Sequence, residues 1–156
     1  MPDLITRTEY VEINSVPLAT PAWIVLDTSP LWDTPPVRGT DRIVPYTVGQ
    51  TPLKRIYDAH RFTLPMVIHG AQDRTGTFYS DVRVGLYTNV QELITAVVDP
   101  EATAEPGLKV ITLHAPGGVT RTGDCLVIPP LHIGANLGRT AVRAALDIII
   151  PAGVLT

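Results

Sequence analysis

At 156 residues with a net charge of −3, the chain is sized for one domain, 1–156, and lacks the basic excess of a nucleic-acid binder. Fifteen prolines, about twice the usual share of ~5%, exclude a long helical bundle, since each costs about 3 kcal/mol inside a helix. Charged residues are only 17% of the chain against roughly 25% in an ordinary soluble domain, so less surface than usual is built to face water.

The first element is a β-hairpin. Tyr10–Ile13 and Val16–Leu18 are short apolar runs around Asn14-Ser15, and Asn tolerates the left-handed φ such a turn needs. Pro17 removes a ladder donor, which places the returning arm at an edge. Trp23–Asp27 reads as a strand. Residues 28–36 read as a loop anchored by Leu31 and Trp32. Residues 38–45 lead into a short strand, and Val48-Gly49-Gln50 reads as a turn. From Ala59 to Ile68, His60, Phe62, Leu64, Met66 and Ile68 share one face, a period-2 pattern with one buried side. Pro65 interrupts it and predicts an edge or a bend.

Residues 70–85 read as a long polar loop, and loops of that length are commonly functional. One helix follows, at about residues 88–98. Its apolar stripe is Leu86, Val90, Leu93, Ile94 and Val97. Asn89 and Glu92 have the spacing of a capping box, and Pro100 ends the helix. Leu108–Leu113 alternates, Ala115–Gly118 is a turn, and Thr120–Ile128 and Leu131–Ile133 are strands broken by Pro129-Pro130. Thr140–Ile150 alternates again, with Val142, Ala144, Leu146, Ile148 and Ile150 on one face. The sum is a mainly β chain, a β-barrel or β-sandwich with one flanking helix.

Reactive constellations are scarce. His60, His69, His114 and His132 fall on separate segments without metal-ligand spacing, so no metal or cofactor is expected. Cys125 sits at an apolar strand entry and reads as a small buried thiol; as the single cysteine it forms no intrachain disulfide, which fits a reducing compartment. There is no nucleophile elbow and no phosphate-binding glycine loop, and the chain is read as non-enzymatic. No run of ~18 apolar residues predicts a transmembrane helix, and Met1-Pro2-Asp3 lacks the features of a secretory leader. Aromatic residues in loops carry more information. Trp32, Phe78 and Tyr79, with Arg74 from the same loop as the last two, are the candidate subunit-interface residues, as anchors of a contact or as satellite core.

The order of these features resembles a known family. The hairpin at residues 11–18 precedes Thr40-Asp41-Arg42-Ile43-Val44-Pro45 and Val48-Gly49. Then come the strand Arg61–Gly70, the helical Tyr87–Leu93 and the ending Leu146-Asp147-Ile148-Ile149-Ile150-Pro151-Ala152-Gly153. This order is similar to minor tail proteins of long-tailed bacteriophages, in particular the distal tail protein and its tail-tube relatives. The resemblance implies a ring, a hexamer in that family, joining the tail tube to the adhesion hub around a channel for DNA. The implied partners are further copies of the chain, a tail-tube protein and a tail hub protein, with no specific nucleic-acid binding and no membrane insertion. The implied location is the virion tail, assembled in the host cytoplasm. The length matches a ring-forming core without a carbohydrate-binding insertion. Sheet edges and loop 70–85 are the expected contacts. A tail-tube or head–tail connector subunit is the alternative; a β-sandwich sugar-binding module or a metal-dependent β-barrel enzyme is a further one.

Overall fold

The computed structural model describes residues 9–32, 37–38, 42–43, 50–51, 56–98, 107–136 and 140–156. The opening hairpin forms as expected: β1 (Tyr10–Ile13) pairs antiparallel with β2 (Val16–Pro17). Asn14 and Ser15 take φ of 50° and 64°, the two left-handed conformations of a type I′ turn. β3 (Trp23–Val25) and a 3-10 turn at Ser29–Leu31 follow. β4 (Val37–Arg38), β5 (Arg42–Ile43), β6 (Gln50–Thr51) and β7 (Ile56–Tyr57) pair as β4–β7 and β5–β6. The turn expected at Val48-Gly49 lies outside the described residues, as do Thr40-Asp41 and Val44-Pro45.

β8 (His60–His69), α1 (Val82–Leu93), β9 (Lys109–His114), β10 (Thr120–Asn136) and β11 (Ala141–Ile150) complete the chain. The seven main strands run in the order β2-β1-β9-β10-β11-β8-β3, every pairing antiparallel. β10 belongs to two halves. Residues 120–125 pair with β9, and residues from Leu126 onward pair with β11. The inner faces of the two halves meet in one core. Val11, Ile13, Ile111 and Leu113 come from the first half; Leu64, Met66, Ile68, Leu146 and Ile148 come from the second. The architecture is therefore mainly β, a sandwich with one flanking helix. The alternation read at residues 60–68 and 140–150 places the expected sides inward.

Four local expectations need correction. The helix begins at Val82, six residues ahead of the expected 88, and continues as a π turn through Ile94–Val98. Asp81 is its N-cap, accepting from the Arg83 N–H at 2.9 Å, the usual device for an orphan donor. Asn89 caps nothing; it is mid-helix and fully buried. The residues read as a broken strand are one strand, because β10 absorbs Pro129-Pro130 in a register shift between Ile128 and His132. A bulge accommodates prolines that a regular ladder does not. Pro65 is flanked on both sides, by β11 and β3. Its carbonyl accepts from the Leu26 N–H just past the end of β3, so the missing donor falls where the ladder stops.

β9 turns a polar side chain inward. Lys109, Ile111 and Leu113 are buried, while Leu108 and Val110 are exposed. The Lys109 ammonium donates to the Val97 carbonyl in the terminal turn of the helix, so its charge sits at a helix C-terminus, the favourable end of the dipole.

Candidate functional site

The 70–81 segment is an ordered loop bound to α1. Asp73 organises its tip. One carboxylate oxygen accepts from the Thr75 N–H at 2.8 Å, the Thr75 hydroxyl at 2.6 Å and the Thr77 N–H at 2.9 Å. These bonds, with the Thr75 hydroxyl contributing most, hold the Asp73 carboxyl below its usual range. Gln72 and Phe78 form a β-bridge, and the Tyr79 N–H donates to the Ala71 carbonyl.

Asn89 ties this loop to the rest of the molecule. Its side-chain amide donates to the His69 carbonyl at 2.5 Å and the Gln72 carbonyl at 2.8 Å. Its amide oxygen accepts from the Tyr79 hydroxyl at 3.1 Å. Its backbone carbonyl accepts from the Trp23 indole N–H at 3.1 Å. Gly85 lets the helix lie this close. A Cβ there would run into the Gly70 carbonyl and the Tyr79 ring, and a Cβ at Gly70 would meet the Val82 carbonyl. The buried spine of α1 is thus Gly85, Asn89 and Leu93, continued by Val97.

The four candidate contact residues separate in this setting. Arg74 lies over the Trp23 ring, 5.1 Å from its centroid, and its Nε is 3.4 Å from a Glu92 carboxylate oxygen. Tyr79 is held by Asn89, and partial burial with the nearby Glu92 and Asp73 charges raises its phenol above the ordinary range. Both make side-chain contacts within the chain. Phe78 is 75% exposed and pairs with Gln72 at the base of the Asp73–Thr77 turn. Trp32 lies far from the other three. It follows Pro30, whose carbonyl contacts His60 Nε2 at 2.9 Å, whereas the loop leaves from the other end of β8, roughly 30 Å away at ~3.3 Å per residue. The Trp32 indole N–H donates to Glu9 at 2.9 Å, the Thr28 hydroxyl donates to the same oxygen at 2.6 Å, and the Arg121 guanidinium sits 5.0 Å from the ring centroid. The Thr28 bond, then the Trp32 bond, hold the Glu9 carboxyl below its usual value.

One surface has no counterpart in the sequence pattern. Arg83, Leu86, Tyr87, Val90, Ile133 and Val142 line a cleft of about 470 Å³ between α1 and the β10–β11 face. Tyr87 is 69% exposed and Ile133 is 49% exposed. The apolar stripe read along the helix packs on the core through Leu93 and Val97, while Leu86 and Val90 are partly buried against the core and also border this cleft.

The sheet margins are largely closed. In β2 the outward-facing position is Pro17, which has no N–H to offer. In β3 the outward groups of Trp23 are both used by Thr20: the Trp23 N–H donates to the Thr20 hydroxyl at 3.1 Å, and the Thr20 N–H donates to the Trp23 carbonyl at 2.9 Å. Val25, the next outward residue, also has a partner. The backbone pairing expected at the edges therefore finds few free groups at either end of the sheet.

The histidines remain apart. His60 contacts Pro30, His114 stacks on Tyr10 with centroids 4.2 Å apart and lies 3.2 Å from Glu12, and His132 meets Asp147 at 2.9 Å. His69 joins the loop network through its backbone carbonyl. Among the described residues no three His, Cys, Asp or Glu side chains gather to hold a metal. Cys125 is fully buried, and desolvation pushes its thiol up to about 11.

No family model matches the chain, and no curated protein matches it in sequence. Among solved structures it is similar to SPP1 Dit (gp 19.1), whose crystal structure is described as a paradigm of the hub adsorption apparatus in phages infecting Gram-positive hosts. The TM-score is 0.57 at 10% sequence identity, covering 93% of this chain and 50% of that one. The chain thus spans half the length of the Dit chain. The fold resemblance to a phage distal tail protein, stated from the order of sequence elements, is met in three dimensions.

Proposed function

We propose that this chain is a structural component of a phage tail tip that assembles into a ring, joins the tail tube to the adhesion hub and leaves a channel for DNA. The likeness to SPP1 Dit over nearly the whole chain carries this reading and supports a structural role in a phage tail. The low charge content and the net charge of −3 fit a ring whose lumen does not hold the nucleic acid passing through it, since tight binding needs a basic groove. The role is non-enzymatic, its place is the virion tail, and its partners are further copies, a tail-tube protein and a hub protein.

Closure into a ring needs a head-to-tail contact between two different patches of one subunit. With β2 and β3 so poor in free backbone groups, side chains and the rigid 70–81 loop supply that contact. Light scattering and negative-stain electron microscopy of the purified protein, alone and with its tail neighbours, test the proposal. Single rings are expected. Stacked rings would move the assignment to a tail-tube subunit, and a strict monomer in the presence of those neighbours would overturn it.

A further inference from the structure

We propose that Phe78 of one copy seats in the cleft between α1 and the β10–β11 face of the next copy, and that this knob and hole form the head-to-tail contact. The inference rests on the ring reading and names its surfaces.

The first observation is the presentation of Phe78. A side chain this exposed on a loose loop would collapse or wave; here every turn of the loop is bonded. Asp73 clamps Thr75 and Thr77, Gln72 bridges Phe78, and Asn89 fastens the base. Little conformational entropy is lost when such an aromatic docks, which is how an anchor residue gains its effect. The second observation is the receiving surface. The cleft is apolar apart from its rim, and at about 470 Å³ it has room for an aromatic side chain, being within the ~300–1,000 Å³ range of small-ligand sites. Phe78 is not among the residues that line it, so knob and hole are separate patches of one subunit. The third observation is charge. The knob loop carries Asp73, while the Arg74 charge on the same loop is offset by Glu92. The rim of the cleft carries Arg83, so an acidic tip faces a basic rim.

The geometry makes a distinctive prediction for mixtures. Phe78→Asp removes the knob and leaves the cleft; Ile133→Asp spoils the cleft and leaves the knob. Both residues are exposed enough for the fold to survive, which circular dichroism melting checks. Sedimentation velocity of each full-length variant alone should show monomers, with the association Kd raised about thirtyfold or more, the effect of losing a hot-spot residue. Mixed one to one, the two variants retain one good knob and one good hole, so they should form heterodimers and stop there. If both variants form rings as the unaltered chain does, the contact lies elsewhere and this inference fails while the ring reading stands. If mixing yields no heterodimer, the inference also fails. An unaltered chain that stays monomeric even with its tail neighbours overturns both readings.

Discussion

Asn89→Ala removes the residue on which the 70–81 loop depends. The substitution deletes two bonds donated to main-chain carbonyls and one accepted from Tyr79. At about 1 kcal/mol net for each bond, the loss is about 3 kcal/mol. A chain near this length loses roughly 2–4 °C of Tm per kcal/mol, so a drop of about 6–12 °C is expected in a thermal melt. Urea titration gives the free energy directly, and an unchanged m-value would show that the folded state is as compact as before. Amide exchange locates the effect: protection at residues 72–79 should fall more than protection in β8 or β11, because the loop loses its fastening first. Asn89→Asp is the sharper variant. Its carboxylate would face two carbonyl oxygens, so its folded-state pKa lies above the ordinary value. The destabilisation should be largest at neutral pH and ease as pH falls and the group takes up a proton. A loss well below 1 kcal/mol for Asn89→Ala, with exchange at 72–79 unchanged, would refute the fastening role.

Gly85→Ala sets a helix-propensity gain of about 1 kcal/mol against an overpacking cost of about 1–3 kcal/mol. The Gly70 carbonyl and the Tyr79 ring stand where the added methyl would go, which decides for a net loss, and a rise in Tm would contradict that close approach. Cys125 should resist a thiol reagent at neutral pH in the folded protein and react once urea unfolds it, since it is buried with a thiol pushed up to about 11; rapid labelling without denaturant would refute its burial. The lowered Glu9 carboxyl contributes stability that is present above the ordinary value of 4.5 and lost as pH falls through its depressed pKa. Glu9→Gln should therefore flatten the acid limb of the stability profile, because its amide oxygen still accepts from Trp32 and Thr28 but does not titrate; an unaltered limb would count against it.

Hydropathy makes the strands legible where one face is apolar, as in β8 and β11, and turn chemistry makes the Asn14-Ser15 hairpin legible. Both signals fail where burial runs through small or polar side chains. The inward spine of α1 passes through Gly85 and Asn89. A glycine reads as a breaker and an asparagine as a cap, so the pattern starts the helix six residues late. In β9 both faces are partly apolar, so the pattern does not choose between them; the buried one includes Lys109, while Leu108 and Val110 face solvent. Of the candidate contact residues, Phe78 is recognisable as a loop aromatic. Nothing in its neighbourhood separates it from Tyr79, whose hydroxyl reaches a residue ten positions away. The cleft depends on Ile133 and Val142 meeting α1 across the fold, a juxtaposition no local pattern encodes.

Pro17 and the Thr20 turn leave the outermost strands little main chain to offer a neighbour. A polypeptide whose outermost strands have so little main chain left to share resists zippering into fibrils while its concentration climbs. In the proposed ring, growth would then be governed by side-chain fit, which a neighbour of the wrong shape cannot satisfy. Replacing Pro17 by a residue with a free N–H would give one rim a donor and would show how far edge-to-edge aggregation is held off by a single ring of atoms.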